Sequence, residues 1–89
     1  MYFIYILQSE NDKGLYVGLT SDVDKRLVYH NAGRVRSTSH RRPFKVIYKE
    51  SYGSRAEARE REKFLKSYKG SKEKLTIIER QLTAPSSNG

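Results

Sequence analysis

The chain has no cysteine. That excludes disulfides and every thiolate metal site, and it suits a cytoplasmic setting. It has few histidines, His30 and His40, and they do not stand at any familiar metal-binding spacing. No apolar run approaches the roughly 20 residues of a membrane span. The apolar N-terminus lacks the basic segment of a secretory leader, so no membrane is expected among the partners. The phosphate-loop motif, the dinucleotide-binding glycine motif and the nucleophile elbow are all missing. Acidic residues are missing as well between Asp24 and Glu50, where Lys25, Arg26, Arg34, Arg36, Arg41, Arg42, Lys45 and Lys49 all lie.

What is present is one small domain of 89 residues with a net charge of +8. Its core is expected to be small and its stability modest. Charge of that size attracts a polyanion at long range and by counterion release. A block of one sign in a folded domain points to a phosphate-facing surface, so Arg34, Arg36, Arg41, Arg42 and Lys45 are expected to contact nucleic acid. A membrane surface fits less well, because the basic block is not on an amphipathic helix with a bulky apolar face.

Residues 2–7 are apolar on both parities, the pattern of a central strand covered on both sides. Residues 15–20 alternate, and Asn11, Asp12 and Gly14 between the two runs are turn formers. Together they predict a β-hairpin. Its register decides where the two tyrosines point. With Tyr5 opposite Tyr16 or Gly18 both phenols share a face, and with Tyr5 opposite Val17 they do not. The first arrangement is expected.

A helix follows, capped by Ser21 or Asp22, with Val23, Leu27 and Val28 as its apolar stripe and Asn31-Ala32-Gly33 as its stop. Residues 34–42 read as a basic loop rich in Ser and Thr. Residues 44–52 read as a third strand with Phe44, Val46, Tyr48 and Tyr52 on one face. The capping box Ser54-Arg-Ala-Glu57 opens a second helix to about Tyr68, its apolar residues Ala58, Phe64, Leu65 and Tyr68. Lys69-Gly70 is expected to close it, and Ser71 to cap a third helix with Leu75, Ile78 and Leu82 on one buried stripe. Residues 83–89 read as a disordered tail. The order β-β-α-β-α-α predicts an α+β domain over residues 1–82, an antiparallel or mixed sheet with helices packed on it.

Three constellations could carry chemistry. Glu62 sits in a charged run that reads mostly as salt-bridged helix surface. It differs in phase, four residues after Ala58 and three before Leu65, so it borders the packed face. A carboxylate there either pairs with a basic side chain, which the spacing favours, or ligates a hard cation. Arg26 and His30 share a helix face just after Gly18 and Thr20, and a guanidinium matches phosphate oxygens. Tyr5 and Tyr16 belong to a set of 7 tyrosines, most of which must be packing residues. A phenol titrates near ~10 unless a cation lowers it.

Taken together, these pieces resemble the GIY-YIG nucleases. Phe3-Ile4-Tyr5 matches the first motif and Tyr16-Val17-Gly18 the second. Arg26, then His30 one turn later, then Glu62 follow in the family's order. The flanking pattern (His30-Asn31, Arg42-Pro43 and the Ser54 capping box) is similar to the small stand-alone bacterial members, and the resemblance runs from Tyr2 to Leu82. It implies a three-stranded antiparallel sheet flanked by helices and metal-dependent hydrolysis of a phosphodiester bond. Glu62 would bind one Mg²⁺ or Mn²⁺. Tyr5 or Tyr16 would activate or orient water, and His30 would assist proton transfer or position a phenol. Arg26 would hold the scissile phosphate. Gly18 would leave room for the substrate backbone beside Tyr16, with Thr20 among the nucleic-acid contacts. Phe3 departs from the glycine of the first motif.

The leading expectation is a metal-dependent endonuclease acting on DNA, in repair or in processing unusual structures. The chain is expected to act as a monomer or as a weak homodimer through a strand edge. The alternatives are a non-catalytic nucleic-acid-binding module and a protein-interaction module on a nuclease-like fold.

Overall fold

In the computed structural model, which describes residues 1–83, the elements are β1 (Tyr2–Ser9), β2 (Leu15–Thr20), α1 (Val23–Asn31), β3 (Phe44–Tyr52), α2 (Arg55–Lys66) and α3 (Tyr68–Thr83). The order is the expected β-β-α-β-α-α, with a short 3-10 turn (Ser39–Arg41) added inside the basic loop. Thr83, the first residue of the expected tail, is the last of α3, and residues 84–89 lie outside the described residues. No helix among the described residues is long and apolar enough to cross a membrane.

The sheet is antiparallel, in the order β2-β1-β3. The central place of β1 explains its double apolar parity. Ile4 and Ile6 face α2 and α3, where they meet Val17, Ala58, Leu65 and Ile78. Tyr5 and Leu7 face the other way, onto Val23 of α1 and Phe44.

The expected single face of β3 is broken by a bulge. Ile6 pairs with Tyr48 and Leu7 with Val46, so Ile47 has no opposite residue. A bulge reverses parity on the bulged strand. Phe44 and Val46 therefore join Tyr5 and Leu7, while Tyr48 and Tyr52 pack with Ile4 and Ile6.

Asp22 caps α1 by accepting from the Lys25 N–H at 3.0 Å, and Gly33, at φ +78°, takes the left-handed turn after it. Of the expected stripe, Val28 is exposed; the buried residues of α1 are Val23 and His30. The Asn31 amide bonds the Phe44 N–H at 2.7 Å and the Phe44 carbonyl at 3.0 Å, which ties the end of α1 to the start of β3.

Ser54 caps α2 as its capping box predicts. The end of α2 differs from expectation. The helix stops at Lys66, and Ser67, not Ser71, starts α3: its hydroxyl accepts from the Gly70 N–H at 3.1 Å. Gly70 therefore lies inside α3. The reason is proximity, because a Cβ on Gly70 would run into the Phe64 carbonyl oxygen. Phe64, Tyr68 and Leu75 are exposed, and Ile78, with Ile77 beside it, supplies the buried contact of α3. The Leu82 side chain lies outside the described residues.

Gly70→Ala is accordingly expected to destabilise the fold by about 2 kcal/mol in urea unfolding, since backbone cannot rotate out of the way. Gly53→Ala, where a Cβ meets open space, should change stability by no more than about 0.5 kcal/mol. Equal effects at the two sites would contradict this account of the α2–α3 corner.

Candidate functional site

The hairpin register pairs Tyr5 with Gly18 and Tyr16 with Leu7. Both phenols are thus on the face that packs against α1, with ring centroids 6.4 Å apart. Gly18 makes this possible. A Cβ there would collide with the Tyr5 phenol, so the missing side chain is what lets that ring lie across β2.

His30 joins the two tyrosines. Its ring is 4.8 Å from that of Tyr16 and 6.2 Å from that of Tyr5, and Nε2 lies 3.3 Å from the Tyr5 hydroxyl. On the other side of the ring Nδ1 lies 2.9 Å from the Thr38 hydroxyl, which is also 3.3 Å from the Val35 carbonyl. Tyr5, His30 and Thr38 are each no more than 1% exposed. Thr38 is absent from the candidates that the sequence offers. It lies in an irregular loop with no periodicity to mark it, and only the packing of the loop over His30 brings it in.

Charge surrounds this buried pair. Burial raises the Tyr5 phenol above its ordinary range; the Arg26 guanidinium beside it works the other way, and the Tyr16 and Glu62 charges add to the rise. Burial and then Arg26 lower the imidazole of His30, so His30 is neutral at neutral pH. Glu62 forms an i,i+4 ion pair with Lys66 at 3.1 Å, and the Lys66 ammonium sits 5.8 Å from the centre of the Tyr16 ring. α2 packs on β2 and β1, and this end of it brings Glu62 and Lys66 to the edge strand where Tyr16 lies. Tyr5, Tyr16, Arg26, His30 and Glu62 therefore converge, although Glu62 is on the helix that covers the opposite face of the sheet.

Beside Arg26 runs a groove of about 240 Å³, lined by Thr20, Ser21, Asp22, Lys25, Arg26 and Tyr29. The Arg26 and Arg34 guanidiniums lie 5.7 and 5.8 Å from the Tyr29 ring centre, and Thr20 accepts from the Asp22 N–H at the groove's end. Arg36 and Lys45 are exposed. The Arg41 guanidinium is bound to Asp12 at 2.9 Å and lies over Phe44, a strut of the hairpin loop. Ser9 completes that strut, donating to the Arg41 carbonyl at 2.6 Å while accepting from the Asn11 and Asp12 N–H groups. Arg42 donates to the Ser39 carbonyl at 2.7 Å and closes over Gly33.

Among the described residues no group of three or more His, Asp or Glu side chains could hold a metal ion. Glu62 presents one carboxylate at the rim of the site, paired with Lys66; a single hard oxygen donor would suit a cation whose other positions water and substrate phosphate fill.

A family model of the GIY-YIG catalytic domain matches residues 1–75. The chain is 38% identical over 79 residues to a UPF0213 protein of Staphylococcus epidermidis, covering 88% of this chain and 94% of that one. It is 40% identical over 81 residues to a UPF0213 protein of Listeria welshimeri, covering 90% and 89%. Among solved structures, the solution NMR structure of a UPF0213 protein from Bacillus halodurans superposes with a TM-score of 0.54 at 28% identity, covering 97% of this chain and 98% of that chain. By the match of the family model over most of its length, this chain belongs to the GIY-YIG catalytic domain family.

Proposed function

We propose that the protein is a metal-dependent endonuclease that hydrolyses phosphodiester bonds in DNA. The observation that carries this reading is the convergence of Arg26, Tyr5, Tyr16, His30 and Glu62 at one edge of the sheet. Arg26, partly exposed at the groove and next to the Tyr5 phenol, binds the scissile phosphate and stabilises the charge that builds on it. Tyr16, the more exposed phenol, orients the attacking water, and Tyr5 passes a proton towards His30. Glu62 would hold a Mg²⁺ or Mn²⁺ ion, which supplies Lewis-acid polarisation of the phosphate and its water. The groove and the exposed Arg34, Arg36 and Lys45 carry the flanking strand.

The binding-module reading is favoured by one observation: the Glu62 carboxylate already has a cationic partner, Lys66. A labelled panel of duplex, single-stranded and branched DNA separates the two. Nicking that needs Mg²⁺ or Mn²⁺ and disappears in Glu62→Gln is the expected result. Nicking indifferent to that substitution would remove Glu62 from the metal site, and binding without nicking by the wild type would leave the binding module. Replacing both Arg34 and Arg36 by alanine should weaken binding across all sequences and reduce the salt slope by about 1 per lost phosphate contact. A salt slope unchanged from wild type would remove these two residues from the interface.

A further inference from the structure

We infer that Thr38 is a positioning residue of this site: it fixes the tautomer of His30 that leaves Nε2 free to take the Tyr5 proton. This rests on the nuclease reading for its purpose, though not for its geometry. The Thr38 hydroxyl has one proton to give. With the Val35 carbonyl at 3.3 Å as its acceptor, its oxygen accepts from Nδ1–H at 2.9 Å. Nδ1 then carries the ring proton, and Nε2 presents a lone pair to the Tyr5 O–H at 3.3 Å. The assignment comes from the network, as for any imidazole whose hydrogens are not seen. In the other tautomer, Nε2–H would face a hydroxyl whose proton has no acceptor on His30, and Thr38 would give up the Val35 bond to satisfy Nδ1. Buried polar groups strongly favour the arrangement in which every one is paired. With His30 and Thr38 buried, bulk water cannot reshuffle the proton on Nδ1.

The consequence is directional. As the water oxygen adds to phosphorus and one P–O ester bond breaks, the water gives a proton to the Tyr5 oxygen and the Tyr5 proton moves to Nε2. The leaving oxygen takes a proton from solvent. His30 becomes an imidazolium whose Nδ1–H stays on Thr38. That cation is faced by Arg26 from α1, Tyr5 from β1 and Tyr16 from β2. Arg26 is the cation among these and opposes protonation, so the anionic phosphate offsets the new charge. The relay is therefore idle until substrate binds.

Two substitutions test Thr38. Thr38→Ser keeps the hydroxyl, and Thr38→Val keeps the shape without it. The first readout is ring-nitrogen NMR of His30 in the free protein, which needs no activity: wild type and Thr38→Ser are expected to show Nδ1 protonated and Nε2 bare, and Thr38→Val a mixed or reversed tautomer. The second readout is single-turnover cleavage. Thr38→Ser should stay within about threefold of wild type, and Thr38→Val should lose about 10- to 100-fold with DNA binding unchanged, the usual cost of removing the group that orients a functional histidine. The acid limb of the pH profile, set by His30, should move in Thr38→Val alone. A protonated Nε2 in the wild type, or a Thr38→Val protein that keeps the wild-type tautomer, overturns the inference. If wild type cleaves nothing while the tautomers behave as expected, the positioning role holds and the nuclease reading fails. If Thr38→Val does not fold, the wild-type tautomer together with Thr38→Ser still decides.

Discussion

Arg61→Ala is expected to cost about 3 kcal/mol of stability at neutral pH, near the lower end of what breaking a buried ion pair costs. Glu50 of β3 lies under α2 and α3 and accepts four bonds: from the Tyr48 and Tyr52 hydroxyls at 2.6 Å each, and from Arg61 Nε and Nη2 at 3.0 and 2.9 Å. The same guanidinium reaches Glu73 of α3 at 2.5 Å. One side chain thus joins strand and both helices. The Glu50 and Arg61 side chains are 14% and 22% exposed, too buried for solvent to replace what is lost and open enough to keep the cost from the upper end of the range.

The cause can be isolated by pH. Burial would raise the Glu50 carboxyl, but bonds from Arg61, Tyr48 and Tyr52 outweigh it and hold the group below its ordinary value of 4.5. A depressed carboxyl contributes stability above its unfolded pKa, and that contribution is lost as pH falls through the folded value. Removing Arg61 takes away the strongest of the bonds that hold the carboxyl down, so Glu50 protonates more readily and the penalty should shrink towards about pH 4. Urea unfolding at the two pH values checks this. A penalty below about 1 kcal/mol at pH 7, or one that acid leaves unchanged, would mean that the network is decorative. The tyrosines add an alkaline limb. Tyr48 and Tyr52, desolvated and bonded to a carboxylate, are pushed up to about 12. A raised phenol contributes stability below its unfolded pKa of 10.0 and loses it as pH climbs to the folded value.

Much of this fold is legible in the residues because each signal is local and has one cause. Double apolar parity put β1 in the middle. The S-x-x-E box and Asp22 set the starts of α2 and α1 within a residue, and Gly18 in the second run agrees with a register that puts both phenols on one face. What escapes the sequence is what needs a second element. FKVIYKESY alternates except at Val46-Ile47-Tyr48, where three apolar residues run together, and that run alone does not show that Ile47 is skipped in the pairing with Ile6 and Leu7. Gly70 has the usual sign of a helix end, yet it is a point of helix contact whose partner atom is backbone. Arg41 reads as one more cation in a basic block until Asp12 is found against it. Thr38 has no sequence signal at all. The candidate site shows the same division. Its titrating and charged members stand out by type and phase, and the hydroxyl that orients them does not.

Glu62→Gln is expected to abolish cleavage, by roughly a thousand-fold or more, while leaving the fold as stable as the wild type. On the proposed reading Glu62 would hold the cation, so its removal forfeits several kcal/mol of transition-state stabilisation, and about 4 kcal/mol is a factor of roughly a thousand. The stability side follows from geometry. The Glu62 partner in the free protein is Lys66 on the same helix at 3.1 Å, with the ammonium half exposed and the carboxylate 19% exposed; such i,i+4 pairs contribute only about 0.3–0.5 kcal/mol, and glutamine keeps the shape and polarity of the side chain. Urea melts and single-turnover nicking on the same preparations measure both quantities. The contrast with Arg61 is the sharper test. The two residues are adjacent in one charged run, and an α-helix turns about 100° between them. Arg61 falls between β3 and α3, where its loss should unlock the core and its effect on rate should follow folding alone. Glu62 falls at the rim beside Tyr16, where its loss should silence the chemistry and leave the core untouched. If Glu62→Gln unfolds the protein, or if it cleaves at the wild-type rate, the carboxylate is not the ligand, and the site must do its work with Arg26, His30 and the two phenols alone.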